Sequence, residues 1–358
     1  MQDIAAQLHA WHAARRPFAL ATVVRASGSA PREPGAALAV DADGEAVGSI
    51  SGGCVEGAVY ALCEEALASG VPVLEHFGYS DEDAFAVGLT CGGSLDVLVQ
   101  PVLGPAPGLD AALAALVSGT PVALARVIDG PSALLGGTLA VTAGTAHGSL
   151  PLPHAVGEVR AMLAAGRTGL LRLGDATLFV DSHVPPPRML VFGAIDFAAA
   201  VARVGAFLGY RVTVCDARPV FATRRRFPAA DEVVVDWPHR YLDSQAGQLD
   251  ARTVLCVLTH DARFDLPLLE RALRLPVAYV GAMGSRRTHH DRLAHLREAG
   301  LTPAELSRLH SPIGLDLGAR TPEETAVAIA AEIIAHTHGG THLPLTTTEG
   351  PIHHAGRR

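Results

Sequence analysis

The sequence lacks the features by which membrane proteins and nucleic-acid-binding proteins are recognised. It has no uninterrupted apolar run long enough to span a bilayer and no long basic stripe for phosphate backbones. Acidic residues outnumber basic ones, 36 against 28, which gives a formal net charge of −8. Met1 to Ile4 form neither a charged leader nor an apolar signal segment. We therefore expect a cytoplasmic protein with no membrane span and no nucleic-acid partner.

Cysteine is scarce, and its spacing argues against the common structural uses. The five cysteines are odd in number and form neither a disulfide framework nor a CxxC ligand pair. This pattern predicts reduced thiols and argues against a zinc site. Cys63, Cys215 and Cys256 lie in apolar helix-like or strand-like segments, which predicts core positions. Cys54 and Cys91 are left as thiols with glycine neighbours.

Length and composition indicate two hydrophobic cores. The chain has 358 residues, of which 49% are hydrophobic and 18% charged, and it is too long for one typical domain. Three consecutive prolines at 185–187 favour extended backbone and mark a boundary. We predict an N-terminal mixed α/β domain over residues 1–184, a Rossmann-like domain with a doubly wound parallel sheet over 188–338, and a flexible tail over 339–358.

The second half carries the clearer secondary-structure pattern, because short apolar segments alternate with amphipathic ones. The predicted strands cover 189–192, 211–214, 232–235, 254–258 and 277–280, and the predicted helices cover 196–208, 266–274 and 286–299. Such alternation is typical of a parallel sheet with helices on both faces. Thr321, Pro322 and Glu324 predict the capped start of a further helix.

Two short turns in the first half place a thiol beside paired glycines. The candidate binding residues are Ser51, Gly52, Gly53, Cys54 and Glu56 in the first turn and Cys91, Gly92 and Gly93 in the second. Glycine allows a ligand to approach the backbone closely. A helix predicted from Val55 would put Cys54 at its N-terminus, which favours the thiolate, and Glu56 would cap the helix or accept a proton. Tight-turn packing explains the spacing equally well, but the two glycine pairs favour binding.

The start of the Rossmann-like unit predicts a modified nucleotide turn. Gly193 follows an apolar strand, and Asp216 ends the next strand, as a ribose contact would require. Ile195 replaces the glycine that lets backbone approach a pyrophosphate. Asp196 is expected to cap the helix and to occupy the position of the phosphate. A purely structural turn is therefore at least as good an interpretation as NAD binding.

A second strand-to-helix turn, over residues 279–287, predicts an anion site. Gly281 and Gly284 lead into a helix that begins with Ser285, Arg286 and Arg287. Arginines at a helix N-terminus oppose the helix dipole, so they favour a bound phosphate over a merely solvated first turn.

These segments resemble the XdhC/CoxI family of accessory proteins for xanthine dehydrogenase and related molybdenum hydroxylases. The similar segments of the first half are 21–25, 28–32, 51–56 and 88–93, and those of the second half are 259–261, 279–287 and 311–318. The resemblance extends over nearly all of residues 18–336. The sequence departs from the family pattern at Ile195 and Asp196.

The resemblance implies a homodimeric cytosolic chaperone that binds molybdenum cofactor and delivers it to a xanthine dehydrogenase-type apoenzyme. It also implies that a cysteine desulfurase installs the sulfido ligand while the chaperone protects the cofactor. The two glycine–cysteine turns would contact the cofactor, and Gly281, Gly284, Ser285 and Arg286 would hold a phosphate or nucleotide portion.

Two enzymatic functions compete with a chaperone that has no turnover of its own. The Rossmann-like topology and Asp216 are also expected of an NAD(P)-dependent oxidoreductase. Cys54 and Cys91 could alternatively serve a redox or thiol-transfer enzyme. Loss of a chemical activity on substitution of either cysteine would distinguish the thiol enzyme from a binding protein.

Overall fold

The computed structural model describes residues 1–27, 32–78, 93–148 and 150–349. The chain divides into two compact units, Met1–Pro185 and Pro186–Arg358. In the described part of the chain, no helix combines the length and apolarity needed to cross a membrane.

Within its described residues, the first unit contains two antiparallel sheets and four α-helices. The helices are α1 (Ala5–Ala13), α2 (Glu56–Ser69), α3 (Pro107–Ser118) and α4 (Ala155–Ala164). The strands of the first sheet are β1 (Phe18–Ser27), β2 (Ala37–Asp41), β3 (Ala46–Gly48), β4 (Val73–Phe77) and β5 (Ser94–Val102). Those of the second are β6 (Val122–Asp129), β7 (Thr138–Val141), β8 (Ala146–Gly148), β9 (Gly169–Leu173) and β10 (Ala176–His183). The strand orders are β3-β2-β1-β5-β4 and β8-β7-β6-β10-β9.

Helix α2 covers the first sheet and carries the candidate thiol turn at its N-terminus. Its buried residues Val59, Cys63 and Ala66 recur at helical spacing and pack with Val97 and Val99 of β5. The helix ends at Gly70, whose φ of 73° is the left-handed conformation that favours glycine at a C-terminus. The prediction of Cys63 as a core residue is confirmed.

The second unit is the predicted parallel sheet. Its strands are β11 (Arg188–Phe192), β12 (Arg211–Asp216), β13 (Glu232–Val235), β14 (Val254–Val257), β15 (Tyr279–Ala282) and β16 (Leu309–His310). Its helices are α5 (Asp196–Phe207), α6 (Pro238–Gln245), α7 (Ala262–Ala272), α8 (Arg286–Glu298), α9 (Pro303–Leu306) and α10 (Pro322–His338). The strand order is β13-β12-β11-β14-β15-β16, and every neighbouring pair is parallel.

Separate apolar clusters cover the two faces of this sheet, as its uninterrupted hydrophobic strands require. Cys256 belongs to one cluster and Cys215 to the other, which confirms both as core residues. Burial raises the pKa of each of these thiols to about 12. At the N-terminus of α10, Thr321 and Glu324 form the predicted capping box, with Pro322 in the first turn.

Sheet order also fixes where a ligand could reach the second unit. From β11 the chain adds β12 and β13 on one side of the sheet and then crosses back to add β14, β15 and β16 on the other side of β11. The direction in which strands are added therefore reverses between β11 and β14. In doubly wound sheets, ligands bind at the carboxyl ends of the strands near such a reversal. The turns after β11, β14, β15 and β16 all leave the sheet at this edge, which we call the carboxyl edge.

Candidate functional site

The first thiol turn connects β3 to α2 and is exposed at its tip. Gly52, Gly53 and Cys54 are exposed, whereas Ser51 and Val55 on either side are buried. The helix begins one residue later than predicted, so that Val55 is the N-cap and Cys54 precedes it. The turn therefore has anchored ends and an accessible thiol.

The Glu56 carboxylate organises this turn from inside. Its Oε1 accepts hydrogen bonds from Ser49 Oγ at 2.8 Å, Ile50 N at 3.3 Å and Ser51 N at 2.9 Å. Its Oε2 accepts from Gly53 N at 2.7 Å and from the Ser51 hydroxyl. Five donors thus converge on one side chain. We call the Glu56 carboxylate and its five hydrogen bonds the Glu56 latch.

Electrostatics keep the latch charged. Burial by itself raises the pKa of Glu56, but the hydrogen bonds from Ser51, Ser49 and Gly53 outweigh it and lower the pKa to about 2. The carboxylate is therefore an acceptor at neutral pH. It does not act as the helix cap that the sequence suggested, because no side chain caps α2.

Both glycines of the turn adopt backbone conformations that L-residues avoid. The φ angles are 73° at Gly52 and 119° at Gly53, and a Cβ at either would meet no heavy atom within 4 Å. The glycines are therefore required by backbone conformation, while the space beside them is open.

The direction of the hydrogen bonds shows what this turn can offer a ligand. Gly52 N donates to Ser49 Oγ at 3.2 Å, Gly53 N donates to Glu56, and Val55 N donates to Ser51 Oγ at 2.9 Å. These N–H groups face inward, so the turn is poorly suited to cradle an anion. Its accessible functional group is the Cys54 thiol, which suits a soft metal or a sulfur chemistry.

The second thiol turn is described only at its end. Cys91 and Gly92 lie outside the described residues, as does the whole of the segment 79–92; Gly93 is buried and immediately precedes β5. Phe77 at the end of β4 and Leu95 near the start of β5 pack in the same apolar cluster as Val55. The described residues on either side of the second turn and the residue that ends the first turn therefore belong to one core.

At the start of the second unit, internal contacts occupy the predicted nucleotide turn. Asp216 accepts Ala194 N at 2.7 Å and binds the Arg218 guanidinium through bonds of 2.8 and 2.9 Å. Burial opposes ionisation, but these bonds lower the pKa of Asp216. A Cβ at Gly193 would lie 2.9 Å from Thr259 N, so close strand packing requires the glycine there.

The expectation that Asp196 caps α5 is wrong. The N-cap is Ile195, and no side chain caps the helix. The Asp196 carboxylate instead pairs with Arg226 at 3.2 Å, and Arg226 also donates to Ala194 O at 3.1 Å. An arginine from outside the turn thus neutralises the charge that the sequence placed at the phosphate position.

The strand, turn and helix predicted around Gly284 are present, but their residues divide into two groups. Gly281 lies inside β15, where a Cβ would come within 2.4 Å of Ile313 and 2.6 Å of Tyr279. Packing therefore accounts for this glycine. Ser285 caps α8 by accepting Thr288 N at 3.1 Å, and Arg286 is exposed. The exposed cation and the helix N-terminus remain available to an anion.

Sequence analysis missed a buried charged cluster behind this turn. Arg292 of α8 binds Asp265 of α7 at 2.8 Å, Ser311 Oγ at 3.0 Å and Met283 O at 3.1 Å, and the Thr259 hydroxyl donates to Asp265. We call this group the Arg292 cluster. Burial raises the pKa of Asp265 against the opposing effects of Thr259 and Arg292. One guanidinium thus joins helix α7 to the turns after β15 and β16, and Thr259 links the turn after β14 through Asp265.

The polar character of residue 292 gave no functional signal, because an arginine on a charged helix is ordinarily solvent-exposed. Among the described residues, no group of three or more His, Cys, Asp or Glu side chains is arranged to hold a metal ion. The two candidate sites are therefore the Cys54 turn in the first unit and the carboxyl edge in the second.

Two family models match this chain. A family model described as the XdhC and CoxI family matches residues 11–78, and one described as the XdhC Rossmann domain matches residues 189–333. The first match contains the Cys54 turn. The second contains the carboxyl edge from β11 to β16 together with most of α10.

Three curated relatives are similar over most of this chain. It is 27% identical over 321 residues to a protein of Bacillus subtilis named as a probable xanthine dehydrogenase subunit, covering 88% of this chain and 92% of the relative. It is 28% identical over 314 residues to the molybdenum cofactor insertion chaperone PaoD of Escherichia coli, covering 88% and 81%. It is 26% identical over 318 residues to the uncharacterized Escherichia coli protein YqeB, covering 89% of this chain but only 43% of YqeB.

A solved structure shares the fold. A protein from Bacillus halodurans named as a xanthine dehydrogenase superposes with a TM-score of 0.56 at 24% identity, covering 94% of this chain and 96% of that one. At this level of identity the likeness supports the architecture of both units.

Proposed function

The chain belongs to the XdhC and CoxI family, and from this premise we propose that it binds molybdenum cofactor and helps insert it into a xanthine dehydrogenase-type enzyme. The similarity to PaoD, which is named a molybdenum cofactor insertion chaperone, supports the cargo. The similarity to the probable xanthine dehydrogenase subunit of Bacillus subtilis supports the client. The single structural observation that carries the proposal is the exposed Cys54 thiol on the latched turn.

The Cys54 turn fits the metal end of this cargo. Molybdenum cofactor presents a soft metal and a dithiolene, for which thiolate is a suitable partner. Because the turn's N–H groups face inward, the group that the turn presents to a ligand is the Cys54 thiol, with Gly52 and Gly53 beside it. In this proposal Ser51 and Glu56 position the turn and do not touch the cargo. We further propose that Cys91, Gly92 and Gly93 complete the contact.

The carboxyl edge fits the phosphate end. Ser285 and Arg286 stand at the N-terminus of α8, where an exposed cation and the helix dipole both favour an anion. Gly284 has a φ of 155° and leads the backbone into this helix. We propose these three residues as the phosphate site and assign Gly281 to packing against Ile313.

The remaining parts of the proposal concern partners. We propose a homodimer in the cytoplasm that receives sulfur for its cargo from a cysteine desulfurase before transfer to the client. A thiol-bearing binding site is consistent with a cargo that must be protected while a sulfido ligand is installed. Co-purification of the chain with a desulfurase and with the client apoenzyme is the direct test.

Equilibrium binding tests the cargo assignment. Molybdenum cofactor released from a purified molybdoenzyme is titrated against wild type, Cys54→Ser and the surface control Ala61→Ser on α2. We expect Cys54→Ser to bind at least about tenfold more weakly, equivalent to about 1.4 kcal/mol, with an unchanged melting temperature. Failure of wild type to retain the cofactor would overturn the proposal.

The phosphate assignment needs its own comparison. Arg286→Gln and Arg297→Gln remove the same charge from opposite ends of α8, and both positions are exposed. We expect only Arg286→Gln to weaken cofactor binding, with a salt dependence smaller than that of wild type. Equal effects of the two substitutions would contradict a localised phosphate site.

NAD(P)-dependent oxidation is the competing function, and the contacts of Asp216 disfavour it. Ala194 N and Arg218 already occupy the carboxylate that would bind a ribose. We expect calorimetric titration of the wild-type protein with NADH and NADPH to give no saturable heat. Saturable micromolar binding of either nucleotide would restore the oxidoreductase as a candidate.

A further inference from the structure

The two sheets of the first unit have the same topology. In each, three strands are followed by a helix and two more strands, and the orders β3-β2-β1-β5-β4 and β8-β7-β6-β10-β9 correspond strand for strand. A helix precedes each set: α1 before β1 and α3 before β6. Residues 5–102 and 107–183 therefore have the same order of helices and strands. We call them the first copy and the second copy.

The strand registers coincide as well. Leu20 of β1 pairs with Ala39, and Leu124 of β6 pairs with Ala140. Counting along the strands from these pairs matches Ala21 with Ala125 and therefore Thr22 with Arg126. The corresponding antiparallel pairs in the remaining strands follow the same alignment.

Irregular features recur at matching positions. The pairing of β1 with β5 skips Val24, and the pairing of β6 with β10 skips the matching Ile128. A bulge of this kind is a specific feature of a fold. Gly48 and Gly148 also correspond: each has a positive φ, and a Cβ would lie 2.3 Å from Ala37 O and 2.2 Å from Thr138 O, respectively.

The two copies contact each other through matching residues. Arg126 Nη1 donates to Thr22 Oγ1 at 2.8 Å, and these residues correspond in the alignment. Val24, Ile128, Leu98 and Phe179 form one buried cluster, which consists of two corresponding pairs. Contact of one surface with its own equivalent is the property of a twofold interface.

We infer that the first unit consists of two fused copies of one module related by a local twofold axis, and that only the first copy retains the chemistry of the thiol turn. The duplication is independent of the proposed function. The assignment of cargo binding to the first copy rests on the proposed function.

The alignment carries through the turn into the helix. Val55, Val59 and Cys63 are buried in the first copy, and Ala155, Val159 and Leu163 are buried one hundred positions later in the second. Both helices pack these side chains against their own sheet. The residues between Gly48 and Val55 therefore have counterparts between Gly148 and Ala155.

The second copy lacks each component of the thiol turn. His154 stands where the first copy has Cys54, Pro153 stands at the place of Gly53, and Val156 stands at the place of Glu56. Proline cannot adopt the positive φ of Gly53, and valine cannot accept hydrogen bonds. The second copy thus has the strands and the helix that flank the site, without its latch or its thiol.

A transplant tests both parts of the inference. In a chain carrying Cys54→Ser, the second copy receives Pro151→Ser, Leu152→Gly, Pro153→Gly, His154→Cys, Ala155→Val and Val156→Glu. Hydrogen exchange measured by mass spectrometry follows the backbone amides of 150–156, and the wild-type turn at 50–56 is the reference. A matched control carries the same changes except Val156→Glu.

We expect the transplanted turn to exchange about tenfold more slowly than the control, because only the added carboxylate can form the latch. Equal exchange in transplant and control would overturn the equivalence of the copies. A transplant that does not fold would also count against it, because equivalent scaffolds accept each other's turns. The reciprocal chain, with residues 51–56 changed to those at 151–156, is expected to fold and to lose protection at 50–53.

Cofactor retention then separates this inference from the proposed function. If the transplant restores retention that Cys54→Ser has lost, both stand. If the transplanted turn is protected but neither it nor wild type retains released molybdenum cofactor, the duplication stands and the cargo assignment fails. If wild type retains the cofactor and a protected transplant does not, the turn alone is insufficient and its assignment as the binding element is overturned.

Discussion

At the scale of single residues, the thiol turn separates groups that bind from groups that position. The sequence predicts Glu56 as a cofactor-binding residue because it belongs to the first glycine–cysteine turn. Its carboxylate instead accepts hydrogen bonds from five donors in its own turn, including Ser51 and Gly53. Proximity in sequence could not distinguish a ligand from the acceptor that shapes the turn.

The latch makes stability depend on pH in a defined direction. The folded-state pKa of Glu56 is about 2, below its ordinary value of 4.5. Its stabilisation is therefore complete above about pH 5.5 and is lost as the pH falls through the interval between those two values. We expect Glu56→Gln to lower the free energy of unfolding by about 1–3 kcal/mol at neutral pH, because hydrogen bonds to a charged acceptor are lost.

Urea denaturation of wild type and Glu56→Gln at about pH 7 and about pH 3.5 measures this effect. We expect the difference between the two proteins to shrink at the lower pH. Glu64→Gln, an exposed position on the same helix, is the control and should match wild type at both values. A difference that grows on acidification would refute the latch.

At the scale of elements, the arrangement of the turns at the carboxyl edge depends on Arg292 as well as on Gly193, Gly281 and Gly284. The guanidinium joins Asp265 of α7, Met283 O of the turn after β15 and Ser311 Oγ of the turn after β16. Arg292→Met leaves Asp265 buried without its cation, which typically costs about 3–5 kcal/mol. We expect a loss of this size in chemical denaturation. The double variant Arg292→Met, Asp265→Leu should recover much of it; no recovery would mean that the ion pair is not the source.

Elements were predictable where hydrophobic periodicity and capping residues act locally. The parallel strands β11 to β15, α5, α8 and the capped start of α10 follow from such patterns. The strands β4, β7 to β10 and β16 were not predicted. Of these, β8 is short and exposed, β9 has no buried position, and β16 has only two residues. The Arg292 cluster could not be predicted either, since its partners come from one helix and two turns that are distant in sequence and that only the sheet order brings together.

At the scale of the whole molecule, the cysteines report on the cores of both units. Cys63, Cys215 and Cys256 are buried, and burial raises the pKa of each to about 12, whereas Cys54 is exposed. The native protein should therefore protect three thiols at once, one in the first unit and two in the second. Cys91→Ser removes the remaining cysteine and leaves these four.

We expect this Cys91→Ser chain to show one fast-reacting thiol towards a colorimetric disulfide reagent in buffer and four in denaturant, because both low accessibility and a raised pKa suppress thiolate attack. Peptide mapping should identify the fast thiol as Cys54, and Cys54→Ser in the same background should abolish the fast phase. Fast modification of Cys63 would contradict the packing of α2 on its sheet. Fast modification of Cys215 or Cys256 would contradict the two-faced core of the parallel sheet.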